Sequence, residues 1–101
     1  MQMLTLVFRS SLRERAHALL QQCGVRAYTE LPETIGAGQT GPAEGLGYQA
    51  GVNSVILLAL EEPQLAAIEG ALKAWFDEAN QRPGWQEPSL CAFAWPCRQL
   101  V

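Results

Sequence analysis

Three segments of this chain are apolar on both of the faces a β-strand presents, and this limits the folds open to it more than any other feature. Successive side chains of a strand point to opposite sides. A strand with one wet side therefore alternates apolar with polar residues. In 3–8, Leu4, Leu6 and Phe8 face one way and Met3, Thr5 and Val7 the other. In 54–60, Val55, Leu57 and Ala59 oppose Ile56, Leu58 and Leu60. In 89–95, Leu90, Ala92 and Ala94 oppose Cys91, Phe93 and Trp95. A layer of such strands needs cover on both sides. Helices of the same chain can supply one cover, and the pattern predicts that further copies of the chain supply the other.

The helices are legible between the strands. Ser10 or Ser11 can cap the first, with Glu14 at capping-box spacing from Ser11. Leu12, Ala16, Leu19, Leu20 and Cys23 give it one apolar face. Gly24 ends it, since glycine adopts the left-handed conformation at little cost. Residues 25–31 read as a second strand, closed by Pro32. A second helix opens at Glu61, Glu62 and Pro63, with acidic residues and proline suited to a first turn. Its inner stripe is Leu65, Ile68, Leu72, Trp75, Phe76 and Ala79. A turn-rich connection, 80–88, leads to the last strand. The order strand, helix, strand, strand, helix, strand predicts one α+β domain over 1–101. This is the ferredoxin-like βαββαβ sandwich, a four-stranded antiparallel sheet with both helices on one face.

Between the second and third strands lies a long loop, residues 32–53. Hairpin connections usually have about 2 to 5 residues, and much longer ones are often functional. It holds six of the nine glycines and no basic residue. Such a segment can order around a ligand or partner, or be an insertion without a role. The run Gly36-Ala-Gly38-Gln-Thr-Gly41 spells G-x-G-x-x-G, but Pro42 and further glycines follow it. A dinucleotide-binding unit needs a helix there and more chain than is present. The glycine amides can still face an anion.

Other chemistries find little support. The net charge is −3, which argues against a general nucleic-acid surface. The three cysteines lack C-x-x-C spacing and fit reduced thiols of a cytoplasmic protein. Cys91 and Cys97 have no histidine nearby in sequence, so no metal site is assigned; Cys23 reads as core. The apolar start is too short for a membrane span. His17, the only histidine, falls on the wet side of its helix with Arg13 and Gln21. No nucleophile–base motif is present, so the chain reads as a non-enzyme. Trp85 sits in a turn, as a packing plug or a cleft wall.

With these residues in view, the chain resembles the PII signalling family in a divergent, PII-like form. Cys23-Gly24-Val25 is similar to the end of the family's first unit. Tyr28-Thr29-Glu30-Leu31 resembles the Thr-x-Thr-Glu-Val that enters its long T-loop. Gly36-Ala37-Gly38-Gln39 resembles the Gly-x-Gly-Arg-Gln at the base of that loop, without the arginine. Phe93-Ala94-Trp95-Pro96 is similar to Phe-Val-Leu-Pro in the last strand. The family's Gly-Asp-Gly-Lys segment has no counterpart: residues 80–89 keep one glycine, with Arg82 as the cation, and the tail after the last strand keeps Arg98. The resemblance implies a homotrimer with ligand clefts between subunits. It implies a small anionic effector such as bicarbonate, or an adenine nucleotide, held by Thr29, Gly36, Gly38, Gln39, Arg82 and Arg98. It also implies control of a transporter or enzyme through residues 32–53. Tyr48 stands near the family's modifiable tyrosine, although a structural role is the plainer reading. A short tail and an aromatic-Pro ending also resemble PII-like proteins linked to heavy-metal efflux. The alternative is therefore a metal-responsive binding protein.

Overall fold

The computed structural model describes residues 1–35, 37–38, 41–42 and 52–101. Strand β1 is Gln2–Arg9, followed by a 3-10 turn Ser10–Leu12 and helix α1, Arg13–Gln22. Strand β2 is Thr29–Thr34, and the short strands β3 (Ala37–Gly38) and β4 (Gly41–Pro42) pair with each other. Strand β5 is Asn53–Leu60, helix α2 is Glu62–Asn80 and strand β6 is Leu90–Pro96. The main sheet is antiparallel in the order β2-β5-β1-β6, the expected ferredoxin-like architecture.

Both helices pack on the face made by Leu4, Leu6, Phe8, Ile56, Leu58 and Leu60, all buried. Ala16, Leu19 and Leu20 of α1 and Ile68 and Trp75 of α2 complete the core. The other face aligns three rows: Ala59–Met3–Trp95, Thr29–Leu57–Thr5–Phe93 and Leu31–Val55–Val7–Cys91. Phe93 and Trp95 are 57% and 45% exposed there. The two alternating sets thus divide as expected, one buried under helices and one left bare. Along β6 the helices cover only Leu90, so Ala92 and Ala94 are exposed on the helix side as well.

Thr5 stands mid-strand on the bare face, and its hydroxyl oxygen is buried without a hydrogen-bond partner. An orphaned buried hydroxyl costs about 1–3 kcal/mol, and an apolar group of the same shape removes that cost. Thr5→Val should raise stability to chemical denaturation by about 1 kcal/mol. A loss of stability would mean that the hydroxyl is bonded in solution.

Local details depart from the sequence expectations. No serine side chain caps α1. The 3-10 turn intervenes, and the Ser10 hydroxyl is spent on the buried Ser54 hydroxyl, 3.2 Å away. Gly24 does end the helix, at φ +80. Its N–H donates to the Gln21 carbonyl and that of Val25 to the Leu20 carbonyl, the Schellman pattern. That turn carries Val25 into the core, so β2 starts at Thr29 rather than Val25. Nor does Pro32 close β2. Between Leu31 and Thr34 the strand has two residues, Pro32 and Glu33, against the single Ser54 on β5. This bulge puts Glu33 at φ 56. An edge strand tolerates the missing proline donor. The expected loop 32–53 therefore contains the end of β2, the β3–β4 ribbon and the start of β5. The last strand begins at Leu90 and includes Pro96. No helix among the described residues is long and apolar enough to cross a membrane.

Candidate functional site

The sheet topology sets where the expected site residues fall. Thr29 opens β2, exposed on the bare face opposite Leu57. Gly38 lies four residues beyond Thr34, after the chain leaves the sheet at its Asn53 end. Gly36, Gln39 and Tyr48 lie outside the described residues. Arg82 follows the C-terminus of α2. That helix starts beside Leu60 and runs back, so Arg82 sits at the same end as Asn53 and Leu90. Arg98 follows β6, at the opposite end, beside Met1 and Gln2. β2 and β6 are the two edges, three strand spacings or about 14 Å apart. One subunit thus brings Gly38 and Arg82 to one end of the sheet and leaves Arg98 at the other.

The two arginines differ in their surroundings. Arg82 donates to the Glu78 carboxylate at 2.7 Å, one helical turn back, and Arg15 donates to the same carboxylate at 3.1 Å. Arg15 and then Arg82 hold the Glu78 carboxyl below its ordinary range. This pairing is solvent-exposed and contributes little to stability, so an incoming anion can compete for Arg82 at low cost. Arg98 is exposed, with no ion pair among the described residues. The N–H of Trp85 donates to the Arg82 carbonyl, and the tryptophan is 47% exposed in the subunit.

A second cluster was not anticipated. Glu30 of β2 accepts two hydrogen bonds from Arg13, at 3.0 and 3.1 Å, and one from His17 Nε2 at 3.0 Å. The other imidazole nitrogen meets the Tyr28 hydroxyl at 3.2 Å. His17 is therefore a half-buried, partnered side chain and not the solvated one expected. The signal was present as spacing. Arg13 and His17 are four apart on a helix, and Tyr28 and Glu30 are two apart on a strand. Each pair shares a face. Burial works to raise the Glu30 carboxyl, but Arg13 and His17 outweigh it and hold the group below its ordinary value. Burial pushes up the Cys23 thiol, which packs against the core as expected. Among the described residues no three His, Cys, Asp or Glu side chains group as a metal site requires.

Solved structures share this fold. A nitrogen regulatory PII-like protein from Thiomonas intermedia, CPII, superposes with a TM-score of 0.71. The match covers 92% of this chain and 81% of that one, at 22% identity. The fold is that of the PII-like proteins. The apo form of CPII matches with a TM-score of 0.64 at 17% identity, covering 92% of this chain and 84% of that one. A protein from Thermus thermophilus described as PII-like matches at 0.61 and 18% identity, with 92% and 81% covered. No family model and no curated protein match the sequence. The CPII structures include forms bound to ADP, AMP and bicarbonate, and to ADP, AMP and acetate.

Proposed function

We propose that residues 1–101 act as one PII-like domain, a non-enzymatic regulator in the cytoplasm. It assembles as a homotrimer and binds an adenine nucleotide or a small anion such as bicarbonate between subunits. It reports the bound state to a transporter or enzyme through residues 32–53. The fold match to CPII, a protein solved with those ligands, carries this reading. Two further features support it. The bare apolar face calls for other copies of the chain. The placement of Arg82 and Arg98 at opposite ends of one sheet suits a cleft to which neighbouring subunits each bring one arginine. In that cleft the backbone amides of Gly36 and Gly38 and the Gln39 side chain contact the ligand with Arg82, and Thr29 and Arg98 come from the neighbour. The guanidinium groups balance ligand charge in place of the missing lysine.

The test is a thermal-shift panel with ADP, AMP and bicarbonate on the wild-type chain, then on Arg82→Ala and Arg98→Ala. A ligand at about 100 times its Kd adds about 2.7 kcal/mol. Each variant should lose the shift. Refolding the two variants together should restore part of it, because mixed assemblies contain clefts with both arginines intact. No shift from any ligand removes the binding reading. Loss in both variants without rescue by mixing removes the shared cleft.

A further inference from the structure

The Arg13–His17–Tyr28–Glu30 cluster lies outside the proposed cleft. β2 is weakly held by its main chain. Among the described residues it is an edge strand that pairs only with β5, and the bulge at Pro32 and Glu33 interrupts that pairing. Its side chains bury little, since four of its six residues are exposed. Glu30 is its one side chain turned under α1, and that side chain is 12% exposed. Three N–H groups of α1 converge on that carboxylate.

We propose that Glu30 is a latch, and that β2 detaches from β5 as a local unit when the Arg13–Glu30–His17 contacts break. The latch is a property of the single subunit, in which these exposures are seen. The groups facing Glu30 are Arg13 and His17 from α1 and, through His17, Tyr28 from its own chain segment. From β5 it faces the apolar Ile56. His17 serves the latch in either protonation state. Its Nε2–H donates to Glu30 in both, while Nδ1 accepts from the Tyr28 hydroxyl when neutral and donates to it when protonated. Protonation of Glu30 is the event that weakens the latch, because a neutral carboxyl gives up charge-assisted bonds. Its carboxyl sits below the ordinary 4.5, so the contribution is present above that pH and is lost as pH falls through the lower folded value. Thr29 and Leu31 ride on β2, so whatever surface uses them is made or unmade with the latch.

Amide hydrogen exchange on the full chain tests this, read separately for β2 and β1 and corrected for intrinsic rates. Glu30→Gln should speed exchange in Thr29–Thr34 by about ten- to a hundredfold and leave β1 unchanged. In the wild-type chain the β2 opening should grow below pH 4.5, and Glu30→Gln should abolish that dependence. Arg13→Gln, which leaves the carboxylate in place, should give a smaller acceleration confined to β2. Equal acceleration of β1 and β2 in either variant would make Glu30 a global stability residue and overturn the latch. Unchanged β2 exchange in Glu30→Gln would overturn it too.

Discussion

Leu57→Lys should convert the proposed homotrimer into single subunits that keep their fold. Leu57 lies in the middle row of the bare face, between Thr29 on β2 and Thr5 on β1. In an isolated subunit a lysine there meets water, and its stem can lie along Val55 and the neighbouring strands while the ammonium stays solvated. In an assembly that buries this face the same ammonium finds no Asp or Glu among the three rows. Desolvating an unpaired ion costs several kcal/mol, which weakens association by more than about a hundredfold at about 1.4 kcal/mol per tenfold. The favourable term is finite. A few hundred Å² of apolar area at about 25 cal/mol per Å² must already offset the entropy of association. Sedimentation equilibrium at micromolar concentration should show one subunit mass for Leu57→Lys, with an unchanged far-UV circular dichroism spectrum. A variant still associated like the wild type would place the interface elsewhere. A wild-type chain found single at every concentration would remove the assembly itself.

The parts of this protein that were legible in its sequence are those where one local rule acts without competition. In β1 and β5 every residue from Leu4 to Phe8 and from Val55 to Leu60 suits a strand, and period two sorts them to faces. Pro63 and the acidic pair mark the start of α2 because first-turn chemistry is the same wherever the helix packs. At β2 two rules conflict, so its bounds do not follow from the sequence. Val25 is apolar, yet the Schellman turn after Gly24 already spends it on the core. Pro32 breaks ladders, yet an edge strand with a bulge has room for it. His17 reads as solvated in the sequence because a helical wheel records only its own helix, and the strand that covers it arrives from residues 28–30. The site was less legible than the fold. Gly38 and Arg82 share a sheet end only through topology, and no spacing along the chain shows that Arg98 lies at the other.

Phe8→Ala should be the most damaging single truncation on β1, and its contrast with Phe93→Ala tests how the two faces are assigned. Phe8 is 1% exposed, and its cross-strand neighbours are Ser54 and Leu90. Removing a buried phenyl ring costs about 3–5 kcal/mol, the lost transfer energy plus the cavity left behind. Domains of this size have about 5–15 kcal/mol in total, so a large share of the stability is lost. At about 4–8 °C per kcal/mol the midpoint should fall by roughly 12–40 °C. The site has little means to collapse, because both neighbours are held: Leu90 is buried by its own packing and the Ser54 hydroxyl is fixed on that of Ser10. Phe8→Leu keeps most of the volume and should cost less than about 1.5 kcal/mol. Phe93 sits on the adjacent strand on the opposite side of the sheet, exposed in the subunit. Its truncation should leave subunit stability within about 1 kcal/mol and instead weaken association. Equal loss of subunit stability in both variants, measured in the Leu57→Lys background where assembly is absent, would mean that the two faces are not divided as the register places them.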